Sequence, residues 1–312
     1  MNLDFFTVAS NLISLFALIA VGYIAVYSKV LDESASHVFS SFLLKITLPC
    51  TIFVSIIQKQ YDPAFFHDGL IIMAFGFVMF ASLLYLSLYV AKLLRVPENC
   101  RSVWAFSAAF TNGGFMGFPI ALALFGKDGL ALAVMLNIAF NAVVYTVGAM
   151  EIAKSGSGDV KINIKSIIFS NINISSAISL IFYFGQLKAP QAVVTSLTYI
   201  SNITTPLSMM MIGMALAHSK ANELFNDIHA WTNVITALII YPVIICLLLK
   251  IFPLSKNPLV AAVLILIIAM PAASVTSVMS EEYHANVDFA AKVMFLQSLF
   301  SVFTIPLICM MI

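Results

Sequence analysis

Apolar runs of about twenty residues, the length that carries a helix across a hydrocarbon core, recur along this chain and fix its fold class. They lie at 7–27, 38–57, 69–93, 103–125 and 129–152, then at 166–185, 193–217, 228–251, 258–279 and 289–312. Of the 312 residues, 62% are hydrophobic and 9% charged, where a soluble domain carries roughly 25% charged residues. Lipid offers no hydrogen-bond partner to the backbone, so such runs must satisfy their own N–H and C=O groups as helices. The expectation is an all-α membrane protein with ten transmembrane helices in the lipid bilayer. The first run follows MNLDFF, with an acid and no Lys or Arg, and its length marks a retained span, not a cleaved signal.

Two runs contradict this simple pattern. The stretch 105–126, AFSAAFTNGGFMGFPIALALFG, crowds Thr111, Asn112, Gly113, Gly114, Gly117 and Pro119 into its middle, residues ill suited to an unbroken helix. The stretch 259–283 sets Pro271, Ala272, Ser274, Thr276 and Ser277 after a long apolar run. An unwound backbone at membrane depth survives only where protein or a wet cavity surrounds it. Interrupted spans in corresponding halves of a chain point to a transporter's binding site.

The halves are set by a polar gap at 154–165, KSGSGDVKINIK, whose Gly and Ser content predicts a linker. Five spans on each side require the second half to enter the membrane from the opposite face, giving two inverted five-helix repeats. Pro49 in span two is matched by Pro206 in span seven, and the break in span four by that in span nine. An even count of spans puts both termini on one side. Loops on the opposite side hold Lys29, Lys92, Arg95, Arg101, Lys154, Lys161, Lys165, Lys220 and Lys292, against five lysines on the terminal side. The basic side is cytoplasmic by the positive-inside rule, so both termini are expected outside.

TNGGFMGFPIALALFG in span four, AMPAASVTSVMSEEY out of span nine, LKITLPCTIF in span two and TTPLSMMMIGMAL in span seven resemble the auxin efflux carrier family, including its bacterial malate and malonate permease-like members. The resemblance covers the chain in order. It implies a fold akin to the bile acid sodium symporters, with helices four and nine broken and crossing near mid-membrane. It further implies a homodimer, scaffold helices at 1–58 and 166–218, and transport-domain helices at 59–153 and 219–312. The short linker favours a bacterial-type carrier, hence the bacterial inner (plasma) membrane. In the family the residue matching Asn112 sits at the substrate pocket, whereas Thr276 stands where plant members carry a second proline.

Candidate substrate-binding residues are Asn112, Gly113, Gly114, Gly117 and Pro119 in span four and Pro271, Ala272, Ser274 and Thr276 in span nine. No Lys or Arg lies within those spans, but a helix N-terminus carries roughly +0.5 charge and free N–H donors, and holds an anion without a basic side chain. Asn137 and Asn141 share one face of span five, and Thr51 and Ser208 follow the prolines of spans two and seven. The asparagines are read either as pocket lining or as an interhelical pair, and Thr51 and Ser208 either as the scaffold wall of the pocket or as hydroxyls bonding back to the backbone at a proline kink. Asp68, Lys45, Gln297 and Glu282 are candidates for ion or proton coupling; the alternatives are a membrane boundary for the acids, snorkelling for Lys45 and a structural amide for Gln297. Cys50, Cys100, Cys246 and Cys309 lack metal or disulfide spacing, and the five histidines are isolated. Met209, Met210 and Met211 read as packing.

A net charge of +1 without a long basic run excludes nucleic acid as a partner. The sequence has no Walker loop, no enzyme constellation and no cofactor motif. The functional expectation is a secondary transporter of a small organic anion, a mono- or dicarboxylate, working by elevator-type alternating access, with Na+ or H+ coupling open. The alternative is a membrane receptor that binds such an anion without net flux.

Overall fold

The computed structural model describes residues 5–57, 62–154, 171–217 and 225–311; the linker from residue 155 onward and the domain limits expected at 58/59 and 218/219 lie outside these. Among the described residues every regular element is helical, and the only β pairing is an isolated antiparallel bridge of Thr111 with Ala272. The first helices are α1 Phe5–Tyr27, α2 Glu33–Phe42, α3 Leu48–Ile57, α4 Pro63–Leu93, α5 Glu98–Ala109, α6 Phe118–Val143 and α7 Ala149–Ala153. They are followed by α8 Asn171–Gly185, α9 Gln191–Ala217, α10 Ile228–Ile235, α11 Tyr241–Ile251, α12 Pro258–Ile268, α13 Val275–Glu282 and α14 Val287–Cys309. Among the described residues four helical stretches, Pro63–Leu93, Gly113–Ala153, Ile228–Ile251 and Val287–Cys309, are long and apolar enough to cross a membrane. Shorter apolar helices occupy Ala17–Tyr27, Leu43–Ile57, Asn171–Gly185 and Pro258–Ile268.

The stretch Gly113–Ala153 joins the end of one expected span to the whole of the next. Gly126 turns the chain between them with φ of 67°, a conformation L side chains rarely adopt. Wide π turns at Leu43–Thr47 and Thr236–Ile240 each end two residues before a proline, Pro49 and Pro242. A proline ring crowds the carbonyl four residues earlier, here Lys45 or Leu238, and the π turn, bonding one residue further along, absorbs that misfit. Pro206 lies inside α9 without such a turn.

Two compact units are present. The first contains Met1–Gly69, Gly114–Met135 and Lys165–Ser219. Within it α1 and α9 meet backbone to backbone: a methyl on Gly22 would stand 2.0 Å from the Met210 carbonyl oxygen, and one on Gly213 1.9 Å from that of Ile19. The helix α3 packs on α8 and α9. Thr51 Oγ1 donates to the Thr47 carbonyl at 2.8 Å and lies 2.7 Å from Thr204 Oγ1, and Ser175 Oγ donates to the Pro49 carbonyl at 2.6 Å. Thr51→Val leaves the buried Thr204 hydroxyl without that partner; a loss of about 1 kcal/mol is expected, read as a lower thermal midpoint in detergent.

The second unit contains Leu70–Gly113, Leu136–Ile164 and Lys220–Ile312. A buried amide network ties α5, α10 and α14 together: Gln297 Nε2 donates to Asn233 Oδ1 at 2.6 Å and to the Ser107 carbonyl at 3.2 Å, while Asn233 Nδ2 donates to the Trp104 carbonyl at 2.8 Å. Rings of Phe80, Phe106, Phe110 and Phe140 form an aromatic cluster beside it. At the start of α10, Asp227 accepts from the backbone N–H groups of His229 and Ala230 and pairs with Lys292 at 3.1 Å. Partial burial opposes the charge on Asp227, but the Lys292 ammonium and the two N–H donors outweigh it and hold its carboxyl below the usual range. A depressed carboxylate stabilises the fold fully above its unfolded pKa of about 4 and loses that contribution as pH falls through its folded value. Lys292→Gln should therefore lower the thermal midpoint near neutral pH, and its difference from the wild type should close in acid.

Candidate paired-break site

The helix α5 stops at Ala109 and α12 at Ile268, and the chain resumes helical turns only at Gly113 and Val275. A helix end leaves carbonyls and N–H groups without intrahelical partners, and inside a membrane protein these must be met elsewhere. Here the two interruptions meet each other. Asn112 N–H donates to the Pro271 carbonyl at 2.7 Å and Ala273 N–H to the Phe110 carbonyl at 2.9 Å. Thr111 Oγ1 donates to the Ile267 carbonyl at 2.7 Å, in the last turn of α12. Phe110, Thr111, Ala272 and Ala273 are all buried, so these bonds form where water cannot substitute.

Around the pairing, Asn112 is half-buried, Pro271 and Ala272 are buried, and Ser274 is exposed. Ser274 precedes α13 without a side-chain capping bond, which leaves that N-terminus without the usual side-chain acceptor. Thr276 is fully buried, and its Oγ1 has no hydrogen-bond partner among the described residues. A methyl on Gly113 would make only ordinary contact with Ile267 at 3.5 Å, and one on Gly114 would meet nothing within 4 Å among the described residues. Neither glycine is demanded by packing. Asn137 is 8% exposed and Asn141 half-buried, on the turns flanking Phe140, whose ring meets Phe110 edge-on at 5.9 Å.

The remaining candidates are placed as follows. Gln297 belongs to the amide network, with its Oε1 buried and unpartnered among the described residues. Glu282 ends α13 in an exposed position. In the first unit, Thr51 carries the hydroxyl bonds described above, Ser208 Oγ is buried without a partner among the described residues, Gly117 and Pro119 flank the start of α6, Lys45 is exposed and Asp68 buried. No cluster of three His, Cys, Asp or Glu side chains able to hold a metal occurs among the described residues. Sequence reading did not single out Phe110, Thr111 as a donor, Ile267 or Ala273, because backbone pairing partners carry no compositional mark.

Interrupted helices within an apolar, all-helical chain are the pattern that multi-pass membrane transport proteins use at a binding site. A family model described as Membrane transport protein matches residues 7–309, and the chain belongs to that family, the auxin efflux carrier-like one. An uncharacterized transporter of Methanocaldococcus jannaschii is 26% identical over 93% of this chain and 94% of its own length. Another, of Methanothermobacter thermautotrophicus, is 22% identical over 95% of this chain and 96% of its own. A Rhizobium meliloti protein named "Putative malonate transporter" is 21% identical, covering 93% of this chain and 91% of its own. The family and these relatives mark a transport protein and not an enzyme.

Proposed function

We propose that this chain is a secondary transporter of a small organic anion, a mono- or dicarboxylate such as the malonate named for the Rhizobium meliloti relative. The supporting observation is the backbone pairing of the two breaks through Asn112–Pro271 and Ala273–Phe110, which holds helix ends in place without a basic side chain. The carboxylate is received by the Asn112 amide and by N–H groups at the starts of the helical segments after the breaks, Gly113–Gly117 and Val275–Glu282, where the helix dipole favours negative charge. Gly113 and Gly114 leave room for the anion, and Thr276, Asn137 and Asn141 supply further polar groups.

In this reading ten spans form two inverted repeats with helices four and nine crossing, and both termini lie outside a bacterial inner membrane. Residues 59–153 and 219–312 move as the transport domain against scaffold helices at 1–58 and 166–218, in each protomer of a homodimer. Coupling to Na+ or H+ runs through Asp68, Glu282, Gln297 or Lys45. The test is a thermal-shift screen of the purified protein against carboxylates, with and without Na+ and across pH. A midpoint rise with malonate or a homologous dicarboxylate is expected; no shift with any carboxylate overturns the substrate class. Gly114→Ala should melt as the wild type does while carboxylate uptake falls several-fold, measured in proteoliposomes.

A further inference from the structure

The first unit contains a groove of about 420 Å3 flanked by α3, α8 and α9. Its walls include Lys45, Phe53, Asn171, Ile174, Ile178 and Leu197, and no acidic residue among the described ones lines it. The groove has a polar end and an apolar end. Asn171 Nδ2 approaches the Lys45 carbonyl at 3.5 Å, Ser175 meets Pro49, and Phe182 meets Phe53 edge-on at 5.2 Å, so the two helices run side by side in the same direction. Lys45 and Asn171 therefore mark one end and Phe53 with Ile178 the other. At 1.5 Å of rise per residue the eight positions from Lys45 to Phe53 cover roughly 12 Å. Ile174 and Ile178 are 39% and 44% exposed, an apolar wall that a small hydrophilic dicarboxylate would leave uncovered.

We propose that this groove is a site for an anionic phospholipid of the phosphatidylglycerol class. The phosphate lies against the Lys45 ammonium and the Asn171 amide, and one acyl chain follows Ile174, Phe53, Ile178 and Leu197. The lysine stem can lie along the apolar wall while its head stays at the polar rim. A net-negative head group suits this rim better than a zwitterionic one, whose own cation neutralises the phosphate. None of its lining residues is among those proposed to receive the carboxylate.

Cys50 lines the same groove and is half-buried, which gives a native reporter. In a Cys100→Ser background, where the remaining two cysteines are buried, maleimide labelling of Cys50 is followed in detergent with phosphatidylglycerol or phosphatidylcholine of equal chain length. Phosphatidylglycerol is expected to slow labelling roughly fivefold more than phosphatidylcholine, the factor a single lysine contributes at an anionic membrane surface. Lys45→Gln should erase the difference and Lys45→Arg should keep it. Equal protection by both lipids, or by neither, overturns the proposal. So does protection by free malonate, which would assign the groove to the transported anion, or a bismaleimide link between two Cys50 residues, which would assign it to a second copy of the chain.

Discussion

Gly213→Val should abolish the folded first unit, seen as protein that aggregates instead of eluting as a single species. The added Cβ alone would stand 1.9 Å from the Ile19 carbonyl oxygen and 2.7 Å from the Tyr23 nitrogen, both backbone atoms. A side chain can rotate away from such a clash; a helix backbone cannot without parting α1 from α9. Overpacking typically costs 1–3 kcal/mol when side chains can yield, and here the cost is expected to exceed that range, against a net stability of about 5–15 kcal/mol. Gly213→Ala should already lower the thermal midpoint sharply. Gly114→Ala is the matched control, because the same methyl meets nothing within 4 Å among the described residues. An unchanged midpoint in Gly213→Ala would refute the close approach of α1 and α9.

Asn112→Ala should cut carboxylate uptake by roughly tenfold to a hundredfold, the equivalent of about 1.5–3 kcal/mol for one hydrogen bond to a charged group. Its backbone N–H, which pairs with the Pro271 carbonyl at 2.7 Å, survives the substitution, so the breaks should stay paired and the protein folded. Asn112→Asp is the sharper companion. It keeps the shape and replaces a donor by a negative charge facing an anion, so uptake should fall at least as far near neutral pH. Near-normal uptake in both variants would remove this side chain from the substrate's path.

The interruptions were legible in the sequence because Gly, Pro and Asn act locally: TNGG stops α5 and Pro271 follows the end of α12 whatever surrounds them. What the breaks do with their freed backbone groups was not legible. The partner of Asn112 N–H is a carbonyl about 160 positions away, and every residue carries a carbonyl. The π turns before Pro49 and Pro242 were missed for a related reason, since a proline announces misfit but not whether the helix kinks, widens or, as at Pro206, continues. Gln297 shows a third case. Its polarity in an apolar run signalled an interhelical bond or a functional amide, and only the placement of Ser107 and Asn233 ties it into a network. Gly22 and Gly213 drew no notice, because a glycine in an apolar helix looks the same with or without a backbone against it.

Malonate counterflow is the most direct measurement of the transport assignment. Proteoliposomes holding purified wild-type protein are loaded with unlabelled malonate and diluted into a trace of labelled malonate. Transient accumulation of label above its equilibrium level, saturable and at least roughly tenfold slower with Asn112→Ala, is the expected result. Binding of malonate without any transient accumulation would mark a receptor, and label entering only to equilibrium without saturation would mark a channel; either result contradicts an alternating-access carrier built on the paired breaks.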